Sequence, residues 1–303
     1  MIKLAYVNRG SLTYQIQQAL MDKLSTGESK HLAKKMGTHT NKIYSYETLR
    51  GYMKHANYFA KWAKAEYGCK TLDECRPHIN EYLQSRMDSG LSPHTIKLDT
   101  SALAKLYSVS AKDFDITTPP RTRSGITRSR GITTRDKHFS EKRNSDLVNF
   151  CKSTGLRRAE LENLKGDRLF FKNNKPYIRV DTATKGGKVR DVPVIGTPER
   201  VQDVIKKMQE AGEEKVFGKA HNAADIHGYR REYAQSLYNS LARDIKDIPF
   251  DRINKGTGRA YQSEVYNCRD DKKGIQYDKA AMREVSAALG HTRISVIGGN
   301  YLD

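Results

Sequence analysis

Residues 117–135 set the main limit on how this chain can fold. Pro119-Pro120 stops any helix that reaches it, because proline lacks an amide hydrogen and clashes with the preceding turn. The segment continues through Arg121, Arg123, Arg128, Arg130 and Arg135 among serine, threonine and glycine, and meets no acidic residue before Asp136. Such a stretch has little to bury and reads as an extended linker between two domains. A merely solvated linker usually mixes in acids, so these arginines are expected to follow a phosphate backbone. The domain boundaries read from this break are 1–116, 117–135 and 136–303.

Before the linker the apolar spacing is helical. Leu12, Ile16, Leu20 and Leu24 recur on one face. Lys30, His31, Lys34 and Lys35 follow in a loop or frayed helix. Ser45 is a cap for a long helix that carries Leu49, Tyr52, Met53, Phe59 and Trp62 and ends near Gly68. Thr71 and Glu74 form a capping box before Ile79, Tyr82, Leu83 and Met87, and Gly90 ends that helix. Ser92-Pro93 starts a fourth, with Ile96, Leu98, Leu103 and Leu106 inward, expected to run on toward Pro119. Four helices in this space make a compact bundle. Lysine and arginine alternate with aromatics along them, which suits groove binding and suits an ordinary basic bundle equally.

The net charge of +19 points to a polyanionic partner, nucleic acid first and an anionic membrane surface second. The chain has no apolar run that could span a bilayer and no apolar stretch of signal-peptide type at its start, so the expected location is the cytoplasm, without a membrane partner. Cys69, Cys75, Cys151 and Cys268 lack metal-site spacing, and no glycine-rich loop ends in Lys-Ser or Lys-Thr. The expectation is therefore chemistry with neither metal nor cofactor.

Beyond the linker, Ser140 is a cap for a helix through Leu147, Val148 and Phe150. Thr154-Gly155-Leu156-Arg157 then places an arginine at a helix start, where it is unfavourable for the macrodipole but able, with the free amides, to hold a phosphate. Tyr177 to Val180 and Val189 to Val194 alternate as strands, with Gly186-Gly187 as a tight hairpin turn between Lys185 and Lys188. Lysines beside such a turn are commonly solvated edge charges. His227 and Arg230 are three apart and share a helix face, although His227 fits equally well as a satisfied core histidine. Tyr266 to Arg269 and Ile275 to Tyr277 read as two short strands, followed by a helix to Leu289. Leu289-Gly290-His291 is a turn. Gly298-Gly299 reads as a flexible pair that delivers Tyr301.

These pieces, in this order, resemble the tyrosine recombinase (phage integrase) family: an arginine in Thr-Gly-Leu-Arg, a hairpin lysine, His-x-x-Arg, Leu-Gly-His and a terminal tyrosine. The first domain resembles the helical core-binding (SAM-like) domain of the same proteins, and Ser29-Lys30-His31 with Ile43-Tyr44-Ser45 is similar to a subgroup of mobile-element integrases. The resemblance implies a mainly α fold with a small antiparallel β-sheet, a core-binding domain followed by a catalytic domain. It implies that Arg157 and Arg230 bind the nonbridging oxygens of a scissile phosphate, and that His227 and His291 hydrogen-bond it and assist proton transfer. Lys185, with Lys188 as the alternative, would protonate the leaving oxygen, Tyr301 would attack, and Glu160 would support the site. Double-stranded DNA with specific core sites, a homotetramer on DNA and an accessory bending or excision factor are the implied partners.

The chemistry needs such a set. A phenol is a weak nucleophile and a phosphodiester repels it. Paired guanidiniums, permanently charged and bidentate, complement the charge that grows on the phosphoryl oxygens. Two departures from the family stand out. The interval between Arg230 and Leu289 is long, which suggests an inserted hairpin near 262–278 that touches DNA or a neighbouring protomer. Only Leu302 and Asp303 follow Tyr301, so the helix that many members exchange after the tyrosine is not seen there. A type IB topoisomerase-like enzyme and a non-catalytic DNA-binding regulator are the competing readings.

Overall fold

The computed structural model describes residues 10–121, 139–248 and 263–302. The chain forms two compact units, residues 1–128 and 129–303. Among the described residues, no helix is long and apolar enough to cross a membrane.

The first unit is helical: α1 (Leu12–Met21), α2 (Lys30–Lys35), α3 (Tyr46–Tyr67), α4 (Leu72–Cys75), α5 (Ile79–Asp88) and α6 (Pro93–Leu106). Ser11, Ser29, Ser45, Thr71 and Ser92 each accept a backbone amide of their helix's first turn. Ala56, Ala60 and Ala63 on α3 let α6 approach closely, and Phe59, Ile16, Leu83 and Leu103 fill the space between helices. Each fully buried aliphatic or aromatic side chain here contributes about 2 kcal/mol.

Three expectations fail in this unit. The Thr71–Glu74 box forms, but Pro77 turns the chain into a 3-10 segment, Arg76–His78, so one expected helix is two. The fourth helix stops at Leu106, well before Pro119-Pro120. Leu98 is exposed, while Asp99 and Thr100 of the same helix are buried. Arg121 is exposed, and the linker positions Arg123, Arg128, Arg130 and Arg135 lie outside the described residues.

The second unit contains α7 (Ser145–Thr154), α8 (Arg158–Leu161), β1 (Leu169–Lys172), β2 (Lys175–Val180), β3 (Arg190–Pro193), α9 (Pro198–Ala211), α10 (Ile226–Leu241), β4 (Val265–Asn267), β5 (Gln276–Asp278), α11 (Lys279–Ala288) and α12 (Ser295–Asn300). Strands β1-β2-β3 form an antiparallel sheet, and β4-β5 an antiparallel hairpin. The apolar core joins Phe150, Leu161, Ile178, Val192, Tyr233 and Val285.

The hairpin turn is not where the glycines suggest. Strand pairing runs from Tyr177 with Pro193 to Val180 with Arg190, so residues 181–189 form a long loop with a 3-10 turn at Lys185–Gly187. The two-residue turn is Asn173-Asn174, between β1 and β2, and both residues adopt positive φ (50° and 57°). Asparagine tolerates that region, which a tight hairpin requires. Ser140 caps a turn through the Arg143 amide, and α7 starts only at Ser145. Thr197 and Pro198 open α9, a helix the sequence analysis does not anticipate.

Candidate functional site

The carboxyl end of α11 organises the site. A helix leaves its last carbonyls without partners and carries roughly half a negative charge at that end. Here the chain leaves α11 through Gly290 (φ +67°), with the His291 amide donating to the Ser286 carbonyl at 2.8 Å. This left-handed exit turns the Ala288 and Leu289 carbonyls toward three arginines. Arg190 Nε donates to Ala288 O at 2.8 Å, and Arg157 Nη2 to Leu289 O at 3.0 Å. Arg230 Nη2 donates to the same Leu289 oxygen, which sets the Arg157 and Arg230 guanidiniums side by side.

Each arginine arrives for a local reason. Arg157 stands at the N-cap of α8, and its own amide and Nη1 bind Glu160 at 2.8 and 2.7 Å. Arg230 lies one turn into α10 and is 1% exposed. Its Nη1 donates to the carbonyl of Gly155. Gly155 closes α7 at φ +58°, and a Cβ there would lie 2.3 Å from the Tyr233 ring, so the position requires glycine. Arg190 is on β3, where alternation places it on the buried face with Val192. It grips Glu160 with two bonds of 2.9 and 2.7 Å.

Burial pushes the Glu160 carboxyl up, but the hydrogen bonds and charge of Arg190, joined by Arg157, outweigh it and hold the group down at about 2. Burial also lowers the Arg230 guanidinium from its ordinary value. Arg230 forms no ion pair with any described carboxylate. Three guanidiniums therefore meet one carboxylate and one helix end, roughly −1.5 in charge, which leaves the cluster suited to one further anion.

Tyr301 faces this cluster. Its hydroxyl accepts from Arg230 Nε at 3.3 Å and lies 3.3 Å from His291 Nε2. The tyrosine is 4% exposed, and its ring centroid is 5.8 Å from the Arg230 guanidinium carbon. Burial, then the charges of Arg230, Arg157, Arg190 and Lys185, lower His291 to about 4. The imidazole is thus neutral at pH 7, and Nε2 can take the phenolic proton when the other nitrogen carries the ring hydrogen.

Among the other sequence candidates, His227 is exposed in the first turn of α10, with its ring centroid 5.9 Å from that of Tyr301. Lys185 is exposed on the β2–β3 loop, near enough to act on His291 by charge. Lys188 donates to the His291 carbonyl at 3.1 Å, which ties that loop to the turn after α11. The expected flexible pair is absent: Gly298 and Gly299 lie inside α12, and Tyr301 caps that helix. The sequence reading overlooked Arg190. Its signal was present, since a charged residue two and four positions before Val192 and Val194 must share their inward face.

No family model matches this chain, and no curated protein matches it. Solved structures do. The XerH site-specific recombinase bound to palindromic difH substrate, in a post-cleavage complex, is 16% identical, with 96% of this chain and 94% of that chain covered and a TM-score of 0.53. The Tn1549 transposon integrase in complex with circular intermediate DNA is 13% identical over 95% of this chain and 94% of that one, with a TM-score of 0.45. The match to XerH establishes a shared fold, so the mainly helical, small-sheet architecture expected of the tyrosine recombinases is the one observed.

Proposed function

We propose that this chain is a site-specific DNA recombinase that cuts and rejoins DNA through a 3′-phosphotyrosyl bond. The observation that carries the reading is the Tyr301 hydroxyl held between Arg230 Nε and His291 Nε2, each at 3.3 Å, beside a guanidinium pair. A diester phosphate would replace the missing anion of the cluster, with Arg157 and Arg230 on its nonbridging oxygens. The Tyr301 oxygen forms a bond to phosphorus while the bond to the 5′-oxygen breaks. The phenolic proton passes to His291, and Lys185, carried on the β2–β3 loop, gives a proton to the departing 5′-oxygen. His227 adds a hydrogen bond to the phosphate from the rim. One preorganised donor of this kind is worth about 3–4 kcal/mol at the transition state.

The phosphotyrosyl bond keeps the energy of the diester, so a 5′-hydroxyl from another strand can reverse the step without ATP. The partners in this reading are duplexes with specific core sites, four copies of the chain, and an accessory DNA-bending or excision factor. The net charge of +19 supports a polyanionic partner, and the XerH structure holds its own difH substrate. Integration or excision of a mobile element in the cytoplasm is the setting that fits best. The test is to incubate the protein with fragmented DNA of its source, recover covalent protein–DNA adducts and sequence them. One recurring cut site, lost in Tyr301→Phe, is the expected result. Adducts that persist in Tyr301→Phe would refute the nucleophile, and scattered sites with plasmid relaxation but no two-site exchange would favour a topoisomerase.

A further inference from the structure

The β4–β5 hairpin, the interval expected to touch DNA or a neighbouring protomer, also reaches the helix of its own chain that Tyr301 caps. Lys272, half-buried in the 3-10 turn Asp270–Lys272, donates through Nζ to the Gly298 carbonyl at 3.0 Å and also to the Leu302 carbonyl. These carbonyls bracket Tyr301 in sequence. The same ammonium lies 6.0 Å from the Tyr277 ring centroid, on the buried strand β5. From β4, the Tyr266 ring packs so closely that a Cβ at Gly298 would lie 3.1 Å from it.

The helix needs such support. α12 has six residues, two of them glycine, and no side-chain cap at its start. Each glycine costs about 1 kcal/mol relative to alanine, and helices this short do not hold alone in water. Ile297 and Leu302 are buried and anchor one side. On the other, a cleft of about 820 Å³ separates parts of the hairpin from α12, so apolar packing alone does not close the two together. A cation on the last carbonyls of a helix supplies what the geometry lacks.

We infer that Lys272 is a positioning residue for Tyr301: the hairpin clasps α12 through this ammonium and holds the phenol within reach of the chain's own Arg230 and His291. The inference rests on the recombinase reading for its consequence in catalysis, but not for its structural content. Tyr301 accounts for the reaction, Lys272 for where Tyr301 spends its time.

The test uses the full-length protein and three variants: Lys272→Met, Lys272→Arg and, as a charge control one residue along, Lys273→Met, whose side chain is exposed. Amide hydrogen exchange on the free protein reads the clasp directly. The Gly298, Tyr301 and Leu302 amides, which donate to the Ile294 and Ile297 carbonyls, should exchange about 10-fold faster in Lys272→Met. The Leu289 amide of α11 should not change, Lys272→Arg should be intermediate, and Lys273→Met should match wild type. On a nicked duplex carrying the cut site recovered above, single-turnover adduct formation should slow about 10-fold in Lys272→Met, with DNA affinity within about 2-fold and partial rescue by arginine. Unchanged exchange at Tyr301 in Lys272→Met would overturn the clasp. Faster exchange with an unchanged cleavage rate would leave the clasp standing and overturn its role in positioning Tyr301 for the reaction. Absence of any adduct with wild type would instead refute the recombinase reading and leave the exchange result to decide the clasp.

Discussion

Asp99 in the first unit and Glu160 in the second are both buried against basic side chains, and the two do different things. Asp99, fully buried in the first unit, takes His55 Nδ1 at 2.5 Å and Arg86 Nε at 3.2 Å. That network joins α3, α5 and α6 and matches its charges within the bundle. Glu160, 2% exposed in the second unit, takes Arg157 and Arg190, while Arg230 stands beside them and pairs with no carboxylate among the described residues. A buried acid between bases is therefore no mark of a site. Surplus positive charge beside a tyrosine hydroxyl is, because it leaves a place that an added anion completes.

Four experiments press on this difference, from the largest effect down. Arg230→Lys removes the planar fork that holds Gly155, Leu289 and Tyr301 together, and adduct formation should drop about 10²–10³-fold in single turnover. Glu160→Gln and Asp99→Asn form the sharper pair. Each should cost up to about 3 kcal/mol in denaturant unfolding of its own unit, since each takes the charge from a buried carboxylate that an arginine pairs with. Only Glu160→Gln should slow cleavage by folded molecules, by tens-fold; an equal slowing in Asp99→Asn would erase the distinction. The carboxyl of Glu160 is held below its ordinary value, so its contribution is complete above about pH 4.3 and fades as pH falls toward 2. The acid melting profile of the second unit should flatten over that window in Glu160→Gln.

Gly290→Ala comes next. It forces a side chain into φ +67° with its Cβ 3.1 Å from Arg190 Cδ, and should cost about 1–2 kcal/mol with a several-fold slower cleavage. The smallest effect is a titration. His291 in the free protein should titrate by NMR near pH 4, and Arg157→Gln should raise that value by removing one of the charges that lower it. A His291 that titrates unchanged in Arg157→Gln would separate it from the cluster.

Much of the site was legible because its chemistry uses residue types at local spacings. Thr154-Gly155-Leu156-Arg157, His227 to Arg230 and Leu289-Gly290-His291 each sit at a helix end or in a first turn, where capping rules read directly from sequence. Their convergence did not follow from spacing. It needs the Leu289 carbonyl as a common acceptor, and backbone acceptors are silent in a sequence. The β2–β3 connection was misread because Gly186-Gly187 looks like a turn wherever it falls, while the pairing register depends on which residues the sheet buries. Asn173-Asn174 carries the weaker-looking signal and makes the tight turn. Gly298-Gly299 misled for the opposite reason. Tertiary contacts, Lys272 and Tyr266 among them, impose a helix that propensity disfavours.

The most direct test of the central claim is the chemical identity of the residue that carries DNA. Adducts trapped on a nicked duplex, digested with nuclease and protease, should yield one modified peptide with the added 3′-nucleotide phosphate on Tyr301. The same mass on any other residue, or a wild-type protein that binds the duplex without ever acquiring it, would contradict the account.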